Sequence, residues 1–307
     1  MPLLAVSDLR VRFGEIEILR GVSFEVQAGQ TLGIVGESGC GKSMTGLSVM
    51  GMVPRPGQVS GSINLDGREL VGASERDWQQ IRGQEVAMVM QDPFSSLNPV
   101  MRVGDQIAEV LQLHQGASRA EARKAAIEML DRVGIPDPAA SAQKFAHQMS
   151  GGQRQRVVIA IAFIANPKVL VADEPTTALD VTLQAQVLRL LKDLQKQNNT
   201  GVLLISHDIG VIATESDQIA VFYAGQVVET GPTVDVLKNP QHPYTQSLLR
   251  ALPTVGRDRL EHIEGQPPRF NEMPVGCAFG PRCREKGVEC DHPPQLVDSV
   301  RCWKRQK

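Results

Sequence analysis

Gly36-Glu37-Ser38-Gly39-Cys40-Gly41-Lys42-Ser43 fits the spacing G-x-x-x-x-G-K-[ST], between the apolar run TLGIV (31–35) and the helix-like MTGLSVMGM (44–52). Strand, glycine-rich loop and helix in that order build a phosphate cradle. The glycines let backbone N–H groups turn inward, and the helix N-terminus adds partial positive charge. Residues 36–43 are therefore candidate nucleotide ligands. Lys42 is expected to reach the β- and γ-phosphates, and the Ser43 hydroxyl to ligate Mg²⁺.

Further along, Val169-Leu170-Val171-Ala172-Asp173-Glu174 is an apolar run ending in two carboxylates. It lacks alternation, as does GVLLIS (201–206), which suits strands buried on both faces of a parallel sheet. Ligands of open α/β sheets bind at the carboxyl ends of such strands. Asp173 is expected to hold Mg²⁺ and Glu174 to polarise an attacking water as general base.

The chain by its length allows one large domain or a domain plus an appendage. It has 307 residues, 42% of them apolar, which is ample for a core and excludes global disorder. Thirty-two basic residues against thirty-four acidic ones argue against a protein that owes its affinity to nucleic-acid phosphates. The longest apolar run, Val157 to Ala165, is far below the ~20 residues of a membrane span. Asp8 and Arg10 interrupt the start before any leader-like stretch builds up. A soluble, cytoplasmic protein is expected, with any membrane role supplied by partners. β-rich runs fill 3–90, a helical pattern follows from Pro93 to about Ala165, and SRAEARKAAIEMLDRVGI sets Ala122, Ala126, Met129 and Val133 at helical spacing.

Between the two motifs stands Met149-Ser150-Gly151-Gly152-Gln153, followed by RQRVVIAIAF. This resembles the LSGGQ signature of the ATP-binding cassette (ABC) ATPases, with Met149 in place of Leu, a volume-conserving swap. Other positions match that family in order. Gln91 in MQDPFSSLNP resembles the Q-loop glutamine that contacts Mg²⁺ and water. Ala178-Leu179-Asp180 resembles the D-loop, His207 in LLISHD the switch histidine, and Phe13 the aromatic residue that stacks on adenine. The resemblance covers about 3–237 and implies an α/β P-loop NTPase core, with an antiparallel β portion and a helical subdomain at about 91–165. It also implies ATP and Mg²⁺ as ligands. Lys42, Gln91, Glu174 and His207 would be the catalytic set; Ser43, Gln91 and Asp173 would hold the metal. Ser150, Gly151, Gly152 and Gln153 would grip the γ-phosphate held by an opposite subunit in a head-to-tail dimer.

NPQHPYTQSLLRALP (239–253) and the ending GCAFGPRCREKGVECDHPPQLVDSVRCW (276–303) resemble the peptide/nickel importers among the cassettes. That resemblance makes 238–307 a Cys-rich C-terminal extension of the dipeptide/oligopeptide type. It implies an importer ATPase at the cytoplasmic face of the membrane. The partners would be a second ATPase (a heterodimer, or a homodimer), two transmembrane permease subunits and, indirectly, an extracytoplasmic binding protein. The alternative is a soluble cassette of Fe–S assembly or repair type. Cys277, Cys283, Cys290 and Cys302, spaced C-x5-C-x6-C-x11-C, read more readily as metal ligands than as disulfides in such a chain. The spacing is looser than zinc ribbons prefer, and free thiols stay open. Family resemblance implies a [4Fe–4S] cluster on these four. Cys40 is expected to be a small loop residue. Nothing in the sequence places the apolar-poor tail beside the nucleotide, so docking on the partner ATPase is its expected role.

Overall fold

A computed structural model describes residues 1–177, 179–251 and 263–305. The chain opens with β1 (Leu4–Phe13), β2 (Ile16–Val26), β3 (Thr31–Val35), α1 (Lys42–Val49), β4 (Gln58–Leu65) and β5 (Arg68–Glu69). Then come α2 (Glu75–Ile81), β6 (Val86–Val89), α3 (Pro93–Ser96), α4 (Val103–Gln115), α5 (Arg119–Arg132), α6 (Pro138–Ser141) and α7 (Gly151–Phe163). The last part holds β7 (Val169–Asp173), α8 (Val181–Asn198), β8 (Gly201–Ser206), α9 (Ile209–Glu215), β9 (Gln218–Tyr223), β10 (Gln226–Pro232), α10 (Thr233–Lys238) and α11 (Pro243–Arg250).

Two compact units share these elements. The first holds Met1, 27–30 and 72–203, and β8 passes from it into the second at Leu203. Its strands run in the order β8-β7-β6, with β6 parallel to β7 and Val86 opposite Val169. Every residue of β7 is buried, as the unbroken apolar run required. Helix α5 starts at a capping box in which Ser118 and Glu121 satisfy each other's backbone N–H. Its apolar stripe puts Ala122, Ala126, Met129 and Leu130 inside; Val133, just past the helix end, is buried as well. The apolar stretch from Val157 to Phe163 makes the second half of α7, and Gln155 on that helix donates from Nε2 to the Pro175 carbonyl at 2.8 Å.

The second unit holds 2–26, 31–71 and 204–307. One antiparallel sheet runs β2-β1-β4-β5, the β portion expected near the N-terminus, and the remaining strands run β10-β9-β3-β8. β3 lies parallel to β9, and β9 turns back antiparallel into β10 through Ala224 and Gly225. Both turn residues have positive φ, 47° and 78°, the tight two-residue loop whose twist suits a hairpin. α2 and this hairpin escaped the sequence reading, because neither carries a long periodic run. Among the described residues no helix is long and apolar enough to cross a membrane.

The tail is better packed than its composition suggests. Ala278, Phe279, Cys290, Val300 and Cys302 are buried. Backbone bonds from Thr230 N–H to Ser299 O and from Arg301 N–H to Val228 O tie it to β10. The Phe279 ring packs edge-on against Tyr223 and Tyr244, at centroid distances of 5.3 and 5.4 Å, and those two tyrosines meet at 4.7 Å. Aromatic burial thus supplies what the absence of helical periodicity hid. Replacing Phe279 by Ala is expected to lower stability by about 3–5 kcal/mol, read as a fall in the urea midpoint of the full chain.

Candidate functional site

The phosphate loop leaves the fully buried strand β3 at Gly36 and enters α1 at Lys42. A Cβ on Gly36 would stand 2.2 Å from the Phe222 carbonyl oxygen of β9, so only glycine fits this close approach. Gly41, the residue before α1, has φ of +104°, which lets the chain swing from loop into helix. Lys42 is 5% exposed. Its Nζ folds back to donate to the carbonyls of Gly36 at 2.8 Å and Glu37 at 3.0 Å, with Cys40 Sγ 3.9 Å away. Ser38, Gly39 and Ser43 are exposed. Cys40 is buried, which pushes its thiol pKa up; its carbonyl accepts the Gly225 N–H at 2.9 Å.

Glu37 is engaged on both sides. Its N–H donates to the Tyr244 hydroxyl at 3.0 Å. Its carboxylate takes a two-pronged ion pair from Arg282, Nη1 to Oε2 at 2.6 Å and Nη2 to Oε1 at 3.0 Å. The expectation that nothing places the tail beside the loop is overturned here, because Arg282 lies in that tail. Sequence reading had no signal for these partners, which stand 207 and 245 positions from Glu37. Phe13 ends β1 half-buried, its ring against Gly57. His207 follows β8 and is exposed.

In the first unit, Asp173 closes β7 and is 7% exposed. Glu174 comes next, with φ of +48°. A non-glycine residue in that left-handed conformation stores about 1–3 kcal/mol of strain. Its Oε2 accepts from Gln91 Nε2 at 3.1 Å and from Thr177 Oγ1 at 2.8 Å. Gln91 and Glu174 are thus brought together, and Thr177 is a partner the sequence reading missed. Ser150 caps α7: its Oγ accepts the Gln153 N–H at 3.3 Å while Gln153 Oε1 accepts the Ser150 N–H at 3.0 Å. Gly151 opens the helix onto free space and Gly152 is buried. The arrangement leaves a helix N-terminus able to meet an anion. Leu179 and Asp180 precede α8, which Asp180 caps, whereas Ala178 lies outside the described residues.

Cys277, Cys283, Cys290 and Cys302 are all free thiols and line one small pocket with His242, Phe279 and Trp303. Burial pushes the thiols of Cys277, Cys283 and Cys302 up, and their neighbouring cysteines add to it. The pKa of His242 is pushed down to about 3, chiefly by burial, and its Nδ1 accepts the Tyr244 N–H at 3.0 Å. Among the described residues no group of three or more His, Cys, Asp or Glu side chains has the arrangement that holds a metal ion. The four thiols therefore share a cavity without the tight convergence of a single-ion site.

A glycine loop at the end of a parallel strand, a helix opening beneath it and a carboxylate pair ending another strand define a phosphate-loop nucleotide-binding protein. Residues 19–177 match the family model described as ABC transporter, and 228–290 match the one described as oligopeptide/dipeptide transporter, C-terminal region. The chain belongs to the ABC transporter family, in its ATP-hydrolysing branch. It is 50% identical over 289 residues to the oligopeptide transport ATP-binding protein OppD of Bacillus subtilis, covering 91% of this chain and 81% of that one. It is 45% identical to the OppD of Salmonella typhimurium, over 96% of this chain and 90% of that one. The dipeptide transport ATP-binding protein DppD of B. subtilis is 44% identical, over 98% and 94%. Among solved structures, an ATP-binding cassette captured as a post-hydrolysis dimer with ADP and Pi superposes with a TM-score of 0.66 at 28% identity, covering 75% of this chain and 98% of that one. The matches give no support to a soluble cassette of repair or assembly type.

Because the Gly36 approach is set by backbone, Gly36→Ala should force β9 or the loop to move. The expected result is a stability loss of about 1–3 kcal/mol together with a large loss of ATP affinity, read by melting and by titration with a fluorescent ATP analogue.

Proposed function

We infer that this chain is the ATP-hydrolysing subunit that powers import of di- or oligopeptides, as one half of a cassette dimer bound to membrane permease subunits. The observation that carries the reading is the phosphate loop of this chain joined, in one polypeptide, to the C-terminal region of oligopeptide/dipeptide transporters. Relatives matched over nearly the full chain are named for oligopeptide and dipeptide transport. We take 1–237 as the nucleotide-binding domain, with helices α3–α7 as its helical subdomain, and 238–307 as the extension. The natural partner is a second, related ATPase, and the place of work is the cytoplasmic face of the membrane.

In this reading Lys42 releases the Gly36 and Glu37 carbonyls and turns its ammonium to the phosphates. The loop N–H groups fit this role because they are presented by a buried strand end and a helix start. Ser43, Asp173 and Gln91 would hold Mg²⁺, which neutralises charge on the phosphate oxygens. Oxygen donors of this kind suit that cation. Glu174 accepts the proton of the attacking water, its carboxylate aimed by Gln91 and Thr177. His207 acts on the γ-phosphate, and Phe13 offers its ring to adenine. Ser150, Gly151 and Gly152 serve the nucleotide of the opposite subunit.

The four cysteines are the number of thiolates that a [4Fe–4S] cluster takes, and they line one pocket and carry no disulfide. A [4Fe–4S] cluster there would act as a cross-link that stabilises the tail.

Glu174→Gln should keep ATP binding and lose at least about a hundredfold in turnover, trapping an ATP-bound dimer. Unchanged hydrolysis in the complete transporter would remove Glu174 from its role. For the cysteines, anaerobic purification should yield iron and labile sulfide in equal amounts, about four of each per chain. Both should be lost on replacing any one of the four but kept in Cys40→Ser. One zinc per chain without sulfide would replace the cluster with a zinc site.

A further inference from the structure

Arg282 and Tyr244 hold the phosphate loop from the C-terminal region, and we propose that they are positioning residues for ATP binding. The inference rests on the reading of 36–43 as the ATP cradle. Glu37 sets a carboxylate in the second position of a loop whose work is to receive a polyanion. Left alone, that carboxylate would repel the phosphates and its backbone would be free to turn. The structure removes both problems. Tyr244, 0% exposed at the start of α11, accepts the Glu37 N–H, so this amide is held in place from the C-terminal region. Arg282, with a side chain only 4% exposed, closes on the carboxylate through two parallel bonds.

The guanidinium has no slack. Nε donates to the Glu264 carbonyl at 2.9 Å, Nη2 reaches the Gly265 carbonyl at 3.2 Å, and Nη1 reaches the Tyr223 hydroxyl at 3.3 Å. Arg282 also lies over the Tyr223 ring, 5.8 Å from its centroid. Burial opposes its charge, yet the bonds to Glu37 and Tyr223 outweigh that and raise its pKa. Such a planar fork both neutralises Glu37 and fixes its direction; a lysine could do only the first.

The test uses the full chain and Mg-ATP. Affinity is read by titration with a fluorescent ATP analogue, and KM and kcat in the assembled transporter. Arg282→Met should weaken ATP binding about tenfold or more, while kcat at saturating ATP stays within about twofold of the starting protein. Arg282→Lys should fall between, and Tyr244→Phe should weaken binding by a few fold. The decisive variant is Arg282→Met with Glu37→Gln. Removing the uncompensated carboxylate should bring affinity back to within about threefold of the starting protein. Unchanged affinity in Arg282→Met, or no recovery in the double variant, overturns the proposal. If Arg282→Met does not fold, Arg282→Lys and Tyr244→Phe decide, and unchanged affinity in both overturns it. Lys42→Ala separates this from the ATP reading itself: if that variant binds ATP as the starting protein does, the cradle assignment fails, whatever Arg282 does.

Discussion

Strands β3 and β9 run so close that no side chain fits where β3 ends, and the geometry of the loop follows from that constraint. The Phe222 carbonyl occupies the space a Cβ on Gly36 would need. The chain must therefore turn there, and the turn delivers the following amides into one concave run ending at α1. Lys42 is drawn back over the carbonyls of Gly36 and Glu37, which holds its charge within the loop. The hairpin beyond β9 returns to the loop as well, since the Gly225 N–H bonds Cys40 O. A buried strand end in the interior of the sheet thus sets the position of the loop.

The two carboxylates that end β7 are neighbours in sequence but not in environment. Asp173 still belongs to the strand and is buried at its end. Glu174 leaves the strand through a left-handed residue, which turns its side chain away from the strand's alternation. Two hydrogen bonds to a single oxygen, from Gln91 and Thr177, then fix the direction of that carboxylate. Strain at one residue so gives two adjacent carboxylates different surroundings, a difference that composition alone does not announce.

What could be read beforehand was whatever short spacing encodes. The loop at 36–43, the acid-ended strand, the signature at 149–153 and the helical stripe of α5 all lie within a few turns of chain, and the resemblance followed from the order of the motifs. What escaped was long-range. Arg282 resembles any tail arginine, and Tyr244 any aromatic on a short helix, until folding sets both on Glu37. The cysteines were legible as a group but not as the lining of one pocket, because spacing reports ligand count and not the cavity. The tail's burial was hidden for a related reason: it packs through single aromatic residues and edge pairing to β10, neither of which leaves a period.

Arg282 immediately precedes Cys283, so one peptide bond separates a residue that touches the phosphate loop from one that lines the cysteine pocket. The extension is therefore not an interchangeable module. Grafted onto a cassette with a neutral residue at the position of Glu37, it would carry a buried arginine with no counter-charge. Exchanged for another tail, it would strand an acid beside the phosphates. The ion pair of Glu37 and Arg282 thus couples the loop to a segment 245 positions away along the chain.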